Sequence, residues 1–581
     1  MEKTTDDNFF VVASHVVKDE KDLESLSQSG LADVVDADFV APTEEELNTL
    51  RHVPDRVNWA TYLIAFIEMA ERFSFYGSTV VFVNFIQQPR PAGSPTGAGF
   101  NGQSGALGQG QRVSTGLTTL NQFWSYVTPL LGAYVADTYW GRFNTIAVSV
   151  AIALVGHVLL IVSALPPVLD HPQGALGVLS LAIVVMGLGT GGFKSNISPL
   201  IAEQQKNLKP FVVTRKDGER VIIDPTLTTS RIYMVYFISL VGQITMVFAE
   251  KWVGFWLSYT LPTIVYLCCP IILVIGRNLY RRTPPQGSVL GNTLRIWRYA
   301  ARGKWSWNPV TTFKRLTASD FWDSARPSRI PPEMRPGWIV FDDAWVDEVR
   351  RGLKACTVFC WFPLYWLTYN QMINNLTSQA ATMTLHGAPN DVINNLDPLA
   401  LIVFIPIFDG FIYPFLRRAG INFSPIRRIT LGFLVGSAAM VWAAVTQHYI
   451  YKMSPCGYFA GDPGCDPAPI NVWQQTGAYV LIAFSEIFAS ITGLEYAFTK
   501  APGNMKSLVM AVFLFASAIA AALGEAFTSL SQDPLLVWNY GVMAVLSGVG
   551  GVLFWLSFYK LDKEESALNK IPDAHYDPNS M

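Results

Sequence analysis

Apolar residues in this 581-residue chain arrive in blocks of about 20, the length a helix needs to cross the hydrocarbon core of a bilayer. Such blocks lie near residues 60–86, 115–137, 145–166, 176–201, 230–250 and 254–276. A second six lie near 355–375, 397–416, 430–451, 472–497, 507–529 and 536–558. A soluble chain of this length would divide into roughly four domains. Only 15% of residues are charged, however, against about 25% in soluble domains, and 50% are hydrophobic. The pattern predicts an all-α membrane protein of 12 transmembrane helices in two six-helix bundles, residues 56–276 and 355–560. Residues 277–354 form a polar linker, residues 1–55 an acidic and disordered tail, and residues 561–581 a short polar tail.

Lys and Arg distribute unevenly between alternate loops, which sets the expected orientation. One set holds Arg142, Lys206 to Arg220, Arg417, Arg418, Arg427, Arg428 and Lys500 to Lys506; the other holds little beyond Arg90, Arg112, Lys251 and Lys452. Both termini and the linker are therefore expected in the cytosol. No basic segment followed by a short apolar core and a cleavage site opens the chain, so the first helix is expected to act as the targeting signal. On the outer side, a Gly/Ser/Pro-rich loop runs from about residue 87 to 112, and a later loop carries Cys456 and Cys465, a possible disulfide in a compartment that permits one.

Three ionisable residues fall in the middle of the first apolar block: Glu68, Glu71 and Arg72. Offsets of three and four put them on one helical face. Each charge costs about 2.5–3.5 kcal/mol in mid-bilayer, so the cluster must pair internally or line a wet cavity. Burial favours the neutral form of a carboxyl, while a neighbouring guanidinium favours the ionised form, so moving the arginine switches proton affinity. A purely structural ion pair is the alternative. Lys194, in an apolar Gly-rich block, is a functional candidate on the same grounds, and so is Glu525. His157 reads as a hydrogen-bonded packing residue. Asn375-Leu376-Thr377 fits a glycosylation acceptor placed close to the membrane.

The segment Glu68-Met-Ala-Glu71-Arg72-Phe73-Ser74-Phe75-Tyr76-Gly77 resembles the first-helix signature of the proton-coupled oligopeptide transporters of the major facilitator superfamily. Leu131-Gly132-Ala-Tyr-Val-Ala-Asp137-Thr-Tyr-Trp-Gly141-Arg142 is similar to the superfamily's gate motif between helices 2 and 3. Gly189-Thr-Gly-Gly-Phe-Lys194-Ser-Asn196 and Ser485-Glu486-Ile-Phe resemble the family's fourth- and tenth-helix motifs, and Thr499 to Met510 looks like the fungal branch. The resemblance spans about residues 55–560. It implies that Arg72, Tyr76 and Lys194 hold a peptide carboxylate, that Glu486 takes the ammonium end, and that Glu68 and Glu71 carry protons or balance Lys194. Asp137 and Arg142 would form a gate contact. Trp366, Asn370 and Asp397 are further expected substrate contacts, and Glu525 a gate or structural residue.

The chain departs from the family pattern in places. Phe75 replaces a frequent tyrosine, Asn370 a frequent acid, and Asp397-Pro398 a frequent Asn-Pro; the fifth-helix motif survives only as Arg231 to Phe237, with its remainder shifted around Val241-Gly242-Gln243. The net charge of -2 gives no reason to expect a nucleic-acid partner, and neither a phosphate-binding Gly-rich loop with Lys-Ser/Thr nor a zinc or Ser-His-Asp signature is present. The expectation is a symporter importing di- and tripeptides across a fungal plasma membrane, with the proton as coupling ion, no cofactor, and no obligate protein partner. A carrier of the same family turned to a peptide-derived metabolite or another small organic substrate is the alternative. An integral-membrane enzyme and a non-transporting receptor are rivals of other classes.

Overall fold

The computed structural model describes residues 34–40, 50–53, 59–204, 211–215, 219–223, 238–500 and 505–560, apart from isolated positions. In the first half, α1 (Trp59–Thr79), α2 (Gly110–Val135), α3 (Arg142–Ser163), α4 (Pro172–Glu203), α5 (Ile238–Trp252) and α6 (Phe255–Gly276) form one bundle. The linker contributes α7 (Val289–Ala300), α8 (Pro309–Leu316) and α9 (Asp343–Cys356). The second bundle holds α10 (Phe362–Tyr369), α11 (Asn390–Arg418), α12 (Pro425–Met453), α13 (Val472–Ala497), α14 (Lys506–Ala526) and α15 (Leu536–Phe558). Among the described residues, eight helices are both long enough and apolar enough to cross a membrane.

Helix packing in a bilayer depends on close backbone approach at small residues. The Gly-rich stretch of α4 supplies it. A Cβ on Gly191 would lie 2.0 Å from Thr128 Oγ1 of α2, and one on Gly189 would lie 2.4 Å from the Ala153 nitrogen of α3. Asn196 adds a bond from Nδ2 to the Gly132 carbonyl of α2 at 3.2 Å. These contacts fix the rotation of α4 and hence the direction in which Lys194 points.

Two segments depart from a plain reading of the apolar blocks. The seventh block, expected as a helix over 355–375, breaks after Tyr369 and resumes as a short helix at Asn375–Ala381. The polar run between is engaged elsewhere: Gln122 Nε2 of α2 donates to Asn370 Oδ1 at 2.6 Å, and Asn374 Nδ2 donates to Thr119 Oγ1 at 3.3 Å. Side chains so committed compete with a continuous helical ladder. Within the stretch expected as a disordered tail, Val34–Val40 (β1) and Arg51–Val53 (β2) are strands. They flank a hairpin of β3 (Phe211–Arg215) and β4 (Arg220–Ile223) in the order β1-β3-β4-β2, with β1 antiparallel to β3 and β2 parallel to β4. The sequence Val-Val-Asp-Ala-Asp-Phe-Val of β1 is rich in strand-favouring residues, which outweigh its acidic character.

The linker is packed rather than free. Ile296 and Ala300 of α7 and Trp345, Val346 and Val349 of α9 belong to the same buried core as Met505, just before α14, and Val509 within it. Asp342 caps α9 by accepting from the Trp345 backbone nitrogen at 2.9 Å. At its other end the linker touches the first bundle, where Arg282 lies 4.1 Å over the Phe143 ring and the Gly287 nitrogen donates to the Asp137 carbonyl at 2.9 Å. The linker thus marks one face of the molecule, and the Cys456–Cys465 disulfide lies at the opposite, far face.

Side-chain hydrogen bonds between the bundles gather toward the far face. Asn84 and Asn390 exchange amide bonds at 2.7 and 2.9 Å, Gln103 Nε2 donates to Asn390 Oδ1 at 2.9 Å, Gln111 Nε2 donates to Asn375 Oδ1 at 3.0 Å, and Ser378 Oγ donates to Gln87 Oε1 at 2.5 Å. Asn375, fully engaged and buried, is closed to glycosylation.

Candidate functional site

Between the bundles lies a cavity of about 350 Å³, lined from α1, α2, α4 and α5 on one side and from α10, α11 and α13 on the other. Its size falls within the range of small-molecule sites. The wall from the first bundle carries Arg72, Tyr76 and Lys194, and the wall from the second carries Asp397 and Glu486. Cations and carboxyls are thereby segregated on opposite walls.

On α1, the Arg72 guanidinium lies 3.9 Å from Glu68 and 3.6 Å from Glu71, and both carboxyls are buried. Arg72 faces the cavity while Glu68 and Glu71 lie behind it, outside the lining. Lys194 Nζ lies 4.2 Å over the ring of Tyr126, a cation–π contact in a desolvated setting where such contacts are worth about 2 kcal/mol. Its charge also interacts with Glu71 and Arg72. Arg72 and Lys194 therefore share a wall despite like charge, with Glu71 between their helices.

Opposite, Tyr369 Oη donates to Asp397 Oδ2 at 3.5 Å and also neighbours Glu486. Asp397 occupies the first turn after the 3-10 opening of α11 (Asn390–Asn395), and Glu486 begins a π-helical turn, Glu486–Ile491, within α13. Such turns re-aim side chains and are frequent at functional positions. Glu486 Oε2 and Asp397 Oδ1 are buried acceptors without a donor among the described residues. A ligand ammonium supplies the donors that such oxygens require.

Several expected site residues lie elsewhere. Trp366 is buried behind the cavity, its ring centroid 5.1 Å from Tyr365, 5.4 Å from Tyr369 and 6.2 Å from Phe513. Its ring is held by this aromatic packing, while its Nε1 is a buried donor with no acceptor among the described residues. Asn370 ties the bundles together through Gln122 and is absent from the lining. Glu525 is exposed in the last turn of α14, with Thr528 Oγ1 donating to its Oε2 at 3.3 Å, so this acid occupies the helix end rather than mid-bilayer. Asp137 lies 3.9 Å from Arg142, which binds Glu203 more closely, so the expected gate pair is a triad within the first bundle. His157 packs on Tyr266 with a centroid separation of 4.8 Å. Cys456 and Cys465 form a disulfide with a Cα separation of 6.1 Å. Residues 231–237 lie outside the described residues.

Sequence reasoning missed Asn121, Gln122, Ser125 and Tyr126 of α2, as well as Thr190 and Asn394, all of which line the cavity. The signal in α2 was available: offsets of zero, one, four and five are one face of a helix, and a polar face inside an apolar span must meet water, protein or ligand. Gln243 of α5, adjacent to the shifted fifth-helix motif, also lines it.

The two helical bundles thus enclose a central, two-walled cavity. The structure resembles the crystal structure of the POT family transporter PepTSo with a TM-score of 0.68 at 19% identity, covering 88% of this chain and 99% of that one. Residues 143–543 match the model of the POT family. The chain is 41% identical to the probable peptide transporter ptr2 of Schizosaccharomyces pombe over 92% of this chain and 83% of that protein. It is 40% identical to the peptide transporter PTR2 of Saccharomyces cerevisiae over 92% and 84% respectively. The chain belongs to the POT family.

Proposed function

We propose that this protein is a proton-coupled symporter that imports di- and tripeptides across the plasma membrane, with both termini and the linker in the cytosol. The observation that carries the reading is the segregation of charge across the cavity: Arg72 and Lys194 on one wall, Asp397 and Glu486 on the other. A short peptide is a zwitterion whose two charged ends are common to all sequences. A site that reads both ends and leaves a polar and aromatic space between them accepts many side chains. Kinship with transporters named for peptides supports the same substrate class.

In this mechanism the peptide carboxylate takes Arg72, Tyr76 and Lys194, and its ammonium takes Glu486 and Asp397. Drawing Arg72 toward the substrate loosens its hold on Glu71 and Glu68, and a carboxyl left in a dry setting without its cation takes up a proton. Neutralising that charge lets the bundles, proposed as residues 56–276 and 355–560, rock around the loaded site. One charge moved through 100 mV supplies about 2.3 kcal/mol, enough to bias the cycle. The proton serves as the coupling ion, and no cofactor enters.

The test is uptake of a labelled dipeptide into proteoliposomes under an inward proton gradient. Gradient-dependent accumulation that unlabelled dipeptide competes away is the expected result. Folded protein that accumulates none under the gradient would overturn the peptide reading.

A further inference from the structure

A second pair of acids lies outside the substrate cavity, at the far-face seal. Glu250, near the end of α5, and Asp391, in the 3-10 opening of α11, belong to different bundles and are both almost fully buried, at 1% and 0% exposure. Their carboxyls face each other within hydrogen-bonding range. Asn84 Nδ2 donates to Glu250 Oε1 at 2.9 Å and also to Asn390 Oδ1 at 2.7 Å, so the pair is part of the contact that closes this face.

Among the described residues, Glu250 Oε2 and both oxygens of Asp391 accept no well-formed hydrogen bond, the Ser104 hydroxyl and the Asp391 backbone nitrogen being their nearest, weaker donors. Lys251, on the same helix, directs its ammonium to the Ala388 carbonyl at 3.3 Å, and its single charge balances one carboxylate. Among the described residues, the other titratable groups near the pair are phenols, Tyr259 of α6 and Tyr479 of α13, which bring no positive charge. The remaining neighbours, Asn84 and Ser104, are neutral. Two facing carboxylates with one cation are unfavourable in a dry contact, and a single proton held between them both removes a charge and supplies a donor.

We infer that Glu250 and Asp391 share one proton that latches the far-face gate shut, making this gate a proton-binding point separate from the substrate cavity. The inference deepens the carrier reading and rests on it for assigning the far face to the outside. Protonation from outside favours closure over a loaded cavity. Opening separates and hydrates the carboxyls, and the proton returns to the outer solution.

A one-proton latch changes the open-to-shut ratio by up to about tenfold per pH unit, with opening favoured as pH rises because the shut state binds the extra proton. The test is a spin-label distance measured in lipid nanodiscs without peptide, between H171C and Q474C on the far faces of the two bundles. Cys268 and Cys360 are replaced by Ser to remove competing thiols. The expected result is a shift toward longer distances from pH 5 to pH 8, lost in both D391N and E250Q, whose amides supply the donor at any pH. A pH-independent distance in the parent, or an unchanged pH response in both amide variants, would overturn the latch. If one variant fails to fold, the other reads the same term. Because no peptide is present, the gate result stands apart from the uptake assay: a latch without dipeptide transport would sink the substrate assignment and leave the gate.

Discussion

At the scale of single residues, Arg72 has the most to lose. It touches two buried carboxyls and faces the cavity, so Arg72→Ala removes one cationic partner of Glu68 and Glu71 together with the proposed anchor of the peptide carboxylate. Removing one partner of a buried ion pair costs about 3–5 kcal/mol, a factor of more than a hundred. Proton-driven dipeptide uptake by R72A is expected to fall to background, and normal acid-stimulated uptake would sink the coupling scheme. Glu486→Gln tests the other wall. It is expected to weaken uptake of free dipeptides by about tenfold or more while affecting N-acetylated analogues less, since only the former present an ammonium; equal losses in a side-by-side competition assay would remove Glu486 from that role. That Arg72, Lys194, Asp397 and Glu486 line one cavity was legible in the sequence as charge inside apolar blocks, which has few bland explanations. Trp366 and Asn370 were misplaced because an aromatic or amide in a membrane helix serves packing and inter-bundle bonds equally well, and spacing does not distinguish these from ligand contact.

At the scale of elements, the Gly-rich stretch of α4 is the part whose chemistry is easiest to isolate. Gly191 and Gly177 lie on the same helix, yet a Cβ on Gly191 lands 2.0 Å from Thr128 Oγ1 while one on Gly177 meets nothing within 4 Å. Gly191→Ala is therefore expected to destabilise by about 1–3 kcal/mol. Gly177→Ala should be neutral or stabilise by up to about 1 kcal/mol through helix propensity. Thermal unfolding in detergent, followed by size-exclusion recovery, compares the two; equal melting temperatures would show that α2 and α4 do not depend on this contact. The disulfide gives the opposite expectation, because its loop lies far from the cavity lining. Cys456→Ser with Cys465→Ser should leave uptake largely intact, and complete inactivation would tie the outer loop to transport. Long apolar helices could be read directly from block length, since each must satisfy its backbone inside the bilayer. The break after Tyr369 and the strands at Val34–Val40 and Arg51–Val53 could not, because both depend on partners distant in sequence: α2 for the first and the Phe211–Ile223 hairpin for the second.

At the scale of the whole molecule, transport requires two arrangements of the bundles whose free energies are close, and the structure shows one of them, sealed at the far face by dispersed polar contacts rather than by a dry apolar core. Each neutral hydrogen bond contributes about 0.5–1.5 kcal/mol net, so no single one dominates the balance and several together set it. Such a seal opens when a few bonds are exchanged for water, which an apolar seal of the same area would resist. Removing Gln111's bond to Asn375 and Gln87's bond from Ser378 in one variant, Q87A with Q111A, is expected to shift the population toward a far-face-open state by about tenfold for each 1.4 kcal/mol lost. A reporter cysteine in place of Met372, a buried residue of the cavity lining, makes this measurable: an impermeant maleimide added outside right-side-out vesicles should label M372C several-fold faster in the double variant than in the parent. An unchanged labelling rate would mean that these amides follow bundle closure without stabilising it. The weight would then move to the Glu250–Asp391 contact, whose response to pH is separable because glutamine and serine do not titrate.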